Sequence, residues 1–144
     1  MDVRSRRVVG WSMAYRTTAE PAGDALEMAI ARRDPERGRL HRSDRGSRYA
    51  SLLVGETMEE NGIVPSMGFV SSPWDNAVTE SLTGVVKAEC VHARTFSGRE
   101  EAPLEIFECI ERFCNKVGIH SALGWLSPGE FEKKQMEESR LKAA

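Results

Sequence analysis

The 144-residue sequence contains no apolar run approaching the roughly 20 residues that a membrane-spanning helix requires. Its first residues, Met1, Asp2, Val3 and Arg4, form no hydrophobic signal core. A membrane partner is thereby excluded as an expectation, and a cytoplasmic setting is expected. Cysteine is scarce: Cys90, Cys109 and Cys114 are the only three. They show neither CxxC nor Cys/His spacing, which argues against a disulfide framework or a zinc site and predicts reduced, buried thiols. No large excess of one charge is present. A net charge of −2 argues against a protein whose whole surface grips DNA. Internal repeats and low-complexity linkers are also absent.

What remains is ordinary globular material, with 40% hydrophobic and 29% charged side chains. The charge is unevenly distributed. Residues 1–50 carry 11 Lys/Arg against 7 Asp/Glu, a balance of +4, and residues 51–144 carry 9 against 15, a balance of −6. Arg4, Arg6 and Arg7, with Arg32, Arg33, Arg37, Arg39, Arg42, Arg45 and Arg48, could contact phosphates, or could form a solvated basic surface.

The apolar pattern predicts an α/β order. Val8, Val9, Trp11 and Met13 read as a short strand. Thr17 and Glu20 form a capping box for a helix with Ala22, Ala25, Leu26, Ala29 and Ile30 on one face, ending near Arg32 and Arg33. After a turn at residues 34–38, Leu40 to Ser43 reads as a strand that delivers Asp44 at its end. A second helix is expected over Tyr49 to Asn61, stopped by Gly62, then an extended segment from Ile63 to Met67 interrupted by Pro65. A third helix should start near Trp74 to Asn76 and run to Val86 or Lys87. Ser97 and Glu100 suggest another capping box, before a helix with Leu104, Phe107, Ile110, Phe113 and Cys114 as its core stripe. Ser127, Pro128 and Glu130 start a terminal helix whose last ten residues are expected to fray. One compact layered domain is implied.

Asp44 at a strand end and Glu80 on a helix have 35 residues between them. In a chain with 22 acidic residues such spacing means little by itself. Their surroundings are more specific. His41-Arg42-Ser43-Asp44-Arg45-Gly46-Ser47-Arg48-Tyr49 and Trp74-Asp75-Asn76-Ala77-Val78-Thr79-Glu80-Ser81 closely resemble the HxSDxGxxY and WDNAxxES signatures of DDE-type insertion-sequence transposases of the OrfB type, whose catalytic core is similar to retroviral integrases. The resemblance continues through Ser5-Arg6-Arg7-Val8-Val9-Gly10-Trp11, Lys87, and His120-Ser121-Ala122-Leu123-Gly124-Trp125-Leu126-Ser127-Pro128, so that it covers nearly residues 2–132.

The resemblance implies an RNase H-like α/β fold with residues 1–132 as a partial catalytic core and residues 133–144 as a charged C-terminal tail. It implies that Asp44 and Glu80 are catalytic ligands for Mg²⁺ or Mn²⁺, hard ions that carboxylates suit and that bind substrate phosphate in their remaining positions. Lys87, Arg45 and His120 are then expected to contact DNA, the implied partner, as transposon ends and target, with a solvated helical lysine the other reading of Lys87 and a surface or capping residue the other reading of His120. Other candidates keep two readings. His41 either shapes the site or is a hydrogen-bonded structural residue; Asp75 and Asn76 suit a helix cap better than metal ligands; Trp74 suits packing better than DNA. His92 and Glu89 acquire no role.

The family's first catalytic Asp lies upstream of the Ser5–Trp11 block, and Asp2 matches a different family position. The fold is therefore expected to be incomplete, lacking the first two strands, which in the implied order 3-2-1-4-5 separate the Ser5–Trp11 strand from the Asp44 strand. Two departures are visible: Lys116-Val117-Gly118-Ile119 replaces an Arg-rich stretch before His120, and Leu82, Thr83 and Gly84 replace aromatics after Ser81. Three expectations follow. The chain is a fragment of a DNA-cutting and DNA-joining enzyme, inactive alone; or a truncated DNA-binding or interaction module, self-associating or binding an intact transposase and interfering with it; or part of a complete enzyme whose start codon lies upstream.

Overall fold

A computed structural model describes residues 1–14, 20–43, 52–67, 73–91, 98 and 101–143, with residues 67, 73–76, 78 and 79 described by backbone only. The chain divides into two compact units, residues 9–80 and residues 1–8 with 81–144.

In the unit of residues 9–80, helix α1 spans Glu20–Arg33, strand β1 Leu40–Ser43, helix α2 Leu52–Glu60 and strand β2 Val64–Met67; helix α3, Pro73–Val86, begins here. Strands β1 and β2 pair in parallel, with Leu40 opposite Val64 and Ser43 opposite Met67. Parallel neighbours need a crossover, and α2 supplies it. Gly62, at φ +64°, ends α2 by taking the left-handed conformation. Its carbonyl accepts the Gly38 N–H at 2.7 Å, which ties the turns at the two strand entrances together. Pro65 fits inside β2 because this strand has one partner among the described residues and needs no donor on its other side.

The core of this unit is Leu26 from α1, Val54 and Met58 from α2, and Ile63, with Ala22 and Ile30 packed against it. These are the positions the helical period selects on α1. The segment before α1 lies close to it: a Cβ added to Gly10 would meet the Ala29 nitrogen at 2.9 Å and the Ala25 carbonyl closer still. Ser12 Oγ donates to Asp24 Oδ2 at 3.2 Å.

The strand expected at Val8–Met13 does not form. The backbone groups of Val8 are satisfied by a side chain instead. Buried Asn115 accepts the Val8 N–H through Oδ1 at 2.8 Å, and its Nδ2 donates to the Val8 carbonyl at 3.1 Å. One amide thereby does what a neighbouring strand would do, without a ladder to propagate.

The second unit contains Asn115 and the remaining helices. Lys87–Val91, following α3, is π-helical; helix α4, Glu101–Glu108, continues into a second π-helical stretch, Cys109–Cys114. A 3₁₀ turn at Ser121–Leu123 precedes helix α5, Pro128–Ala143. The expected core stripe of α4 is only partly buried. Ile110 and Cys114 are inside, but Leu104 is 64% exposed, with Phe107 and Phe113 also outward. The period changes at Cys109: a π-helix advances fewer degrees per residue than an α-helix, so one stripe cannot stay on one face through both. Cys90 and Cys109 bring the two π-helical stretches together as a disulfide, Cα to Cα 6.3 Å, while Cys114 stays free. All three cysteines are buried, as expected, but the expectation that all are reduced is corrected by proximity that linear spacing does not encode.

At α5 the predicted capping box is present. Glu130 Oε2 accepts the Ser127 N–H at 2.9 Å and the Ser127 hydroxyl at 2.8 Å, and Ser127 Oγ accepts the Glu130 N–H at 3.4 Å. The helix extends to Ala143 rather than fraying over its last ten residues. Its face toward the chain start is tied down: Arg7 pairs with Glu132 at 2.8 Å, and Arg4 donates to Gln135 Oε1 at 2.7 Å. The Thr17 cap and the Ser97–Glu100 capping box lie outside the described residues.

Candidate active site and DNA-contacting residues

β1 ends at Ser43, the residue before Asp44, and Ser43 sits opposite Met67 at the end of β2. Ser43 and Met67 thus mark the carboxyl end of a parallel pair, where open α/β sheets generally hold their ligands. Asp44 and Arg45 themselves lie outside the described residues. Glu80 is on α3, exposed, with no hydrogen-bond or ion-pair partner among the described residues. Lys87 is exposed and opens the first π-helical stretch. Glu80 closes one compact unit and Lys87 belongs to the other.

Carboxylate oxygen is the right donor for Mg²⁺ or Mn²⁺, so Glu80 fits such an ion in kind. Among the described residues no group of three or more His, Cys, Asp or Glu side chains is assembled to hold a metal.

His41 is half-buried on β1, opposite Pro65, and burial pushes its imidazole below the ordinary 6.5. His120 is half-buried where an extended residue enters the 3₁₀ turn. Its N–H donates to the Leu126 carbonyl at 3.1 Å, and its own carbonyl accepts Leu123 N–H and Trp125 N–H, each at 3.0 Å. Burial first, and then the Arg6 charge, lower its pKa. His120 is therefore neutral near pH 7, able to donate or accept a hydrogen bond but not to act as a fixed cation. The same turn holds Trp125 at φ +65° and 69% exposed. Trp125 belongs to the His120–Pro128 block of the sequence resemblance, but the backbone conformation that presents it is not visible in residue periodicity.

The basic residues are sorted by their partners. Arg4 and Arg7 are engaged with Gln135 and Glu132, whereas Arg6, between them, has no ion pair among the described residues. Arg37, Arg39 and Arg42 are exposed before and along β1. A cleft of about 240 Å³ elsewhere is lined by Glu89, Cys90, Glu105, Glu108, Cys109, Arg112 and Phe113. With three carboxylates against one guanidinium, its field opposes a phosphate backbone. Among the described residues, no helix is long and apolar enough to cross a membrane.

Residues 1–73 match the integrase core domain family, and residues 61–128 match a second family of the same description. The chain is 37% identical over 133 residues to the transposase for insertion sequence element IS904 of Lactococcus lactis, covering 92% of this chain and 53% of that protein. It is 38% identical over 136 residues to the transposase InsF for insertion sequence IS3A of Escherichia coli, covering 94% of this chain and 47% of that one. The chain belongs to the integrase core domain family. Within it, its place is among the DDE-type insertion-sequence transposases. It spans about half the length of the curated relatives it matches. The mixed helical structure with a small parallel sheet is compatible with the RNase H-like fold that the family implies.

Proposed function

We propose that this chain is a portion of a transposase catalytic core whose role is divalent-metal-dependent cleavage and joining of DNA phosphodiesters, with Asp44 and Glu80 as two of the metal ligands. The observation that carries this reading is the family membership, supported by β1 ending at Ser43, the residue before Asp44 in the sequence, and by an exposed Glu80 with no partner among the described residues. A bound ion pair would supply a polarised nucleophile and stabilise the leaving oxygen of an in-line displacement. The chain's own contribution is to hold the hard oxygen donors, to orient phosphate through Lys87 and Arg45, and to offer a neutral imidazole at His120.

The sheet of the described residues has two strands, and we propose that the complete core adds strands from outside residues 1–144, along with the third carboxylate. On this reading the 144 residues alone do not carry out strand transfer. Incubation with Mg²⁺ and a labelled duplex bearing a free 3′-hydroxyl should yield no joined product from the chain alone. Joining should appear when a segment carrying the third carboxylate is supplied, and Glu80→Gln should abolish it. Joining by the 144 residues alone that is lost in Glu80→Gln would overturn the claim of inactivity; joining that survives Glu80→Gln would overturn the assignment of Glu80.

A further inference from the structure

The turn that follows the 3₁₀ helix has a cost and displays an aromatic ring. Gly124 and Trp125 are both left-handed, at φ +68° and +65°. A bulky side chain in that conformation is unfavourable and persists only where its surroundings enforce it. Here they do: Gly124 N–H donates to Ser121 O at 3.1 Å, Trp125 N–H to His120 O at 3.0 Å, and His120 N–H to Leu126 O at 3.1 Å. The strained residue nevertheless buries little, because 69% of it faces outward. Core packing therefore does not explain why an indole stands there.

His120 and Arg6 lie in its neighbourhood through different links. His120 binds Trp125 through the backbone, and the Arg6 guanidinium lies near enough to His120 to act on it electrostatically. Arg6 is itself left-handed at φ +59° and has no ion pair among the described residues, unlike Arg4 and Arg7 on either side. An outward indole joined through the backbone to His120, with an Arg6 charge that acts on His120 and has no ion pair among the described residues, suits single-stranded DNA, which offers a π-face to stack on and a phosphate to neutralise. A paired base inside a duplex offers no free face.

We infer that Trp125 is a stacking platform for an unpaired nucleobase of DNA, with Arg6 and His120 holding the adjoining phosphate. This inference rests on the DNA-processing reading above and adds to it a preference for DNA with frayed or single-stranded ends.

The test measures binding of the full 144-residue chain, in EDTA so that no metal chemistry intervenes, to a labelled blunt duplex and to the same duplex with a short single-stranded overhang. Anisotropy should show the overhang bound about 10-fold more tightly, in line with the typical contribution of one stacked base. An overhang built from abasic nucleotides should lose that advantage. Trp125→Ala should remove the preference while leaving blunt-duplex binding unchanged, and Trp125→Tyr should keep most of it. If the alanine variant does not fold, Trp125→Gly, which suits the positive φ, serves in its place. Equal affinity of the unaltered chain for both duplexes, no binding to either, or equal loss on both in Trp125→Ala would overturn the inference. So would a loss of self-association as the only effect of that variant. Binding in EDTA involves no metal ligand, so failure of the metal reading leaves this result intact and the two are distinguished.

Discussion

Asn115 shows how much one buried side chain can determine. It is 1% exposed and satisfies both backbone groups of Val8. Asn115→Ala would leave a buried N–H and a buried C=O without partners, each costing about 1–3 kcal/mol. A loss of about 2–4 kcal/mol in urea-unfolding stability is expected, and a change under 1 kcal/mol would contradict the account. Gly10 makes a complementary case. No side chain fits between its Cα and α1, so Gly10→Ala should force the segment away and destabilise the chain by roughly 1–3 kcal/mol, as overpacking does. Neither requirement was legible in the sequence. A lone Asn after an apolar helix looks like a surface residue, and a single Gly in a β-forming run is an ambiguous signal. The Ser5–Trp11 block was recognised as a motif, but its conformation depends on a contact 107 residues away.

At the scale of elements, signals carried by near neighbours were the readable ones. The capping box at Ser127 and Glu130, the strand at Leu40–Ser43 and the stop at Gly62 need only a few adjacent residues to be decided, and they occur as predicted. The stripe on α4 failed because a π-helical stretch changes the period midway, and the disulfide between Cys90 and Cys109 depends on how two such stretches meet. Ser127→Ala should cost about 1 kcal/mol through loss of the α5 cap, measured by chemical denaturation. The pH dependence of stability has a definite sign. His41 and His120 are held below 6.5 by burial, so the folded chain resists protons that the unfolded chain accepts. Stability should begin to fall as pH drops through 6.5. Glu130 is held below its ordinary 4.5 by its hydrogen bonds to Ser127, so its contribution is present above 4.5 and is lost as pH falls further, through its lowered folded value. An unfolding midpoint that rises between about pH 7 and pH 5 would contradict the burial of the two imidazoles.

Across the whole molecule, the family was legible because two blocks, around Asp44 and around Glu80, carry it in residue identities rather than in periodicity. Composition and net charge could not have reached it. The tertiary arrangement was less legible: among the described residues two strands pair, and the Val8–Met13 segment that reads as a further strand is not one of them. Pairing in a sheet needs a partner edge, and a sequence pattern cannot show whether one is at hand. The central claim concerns Asp44 and Glu80 as ligands of one divalent-metal site. Its most direct test is titration of the chain with Mn²⁺, following bound metal by electron paramagnetic resonance. Saturable binding should weaken in Asp44→Asn and equally in Glu80→Gln, while Glu89→Gln leaves it unchanged; binding indifferent to both Asp44→Asn and Glu80→Gln would contradict the account.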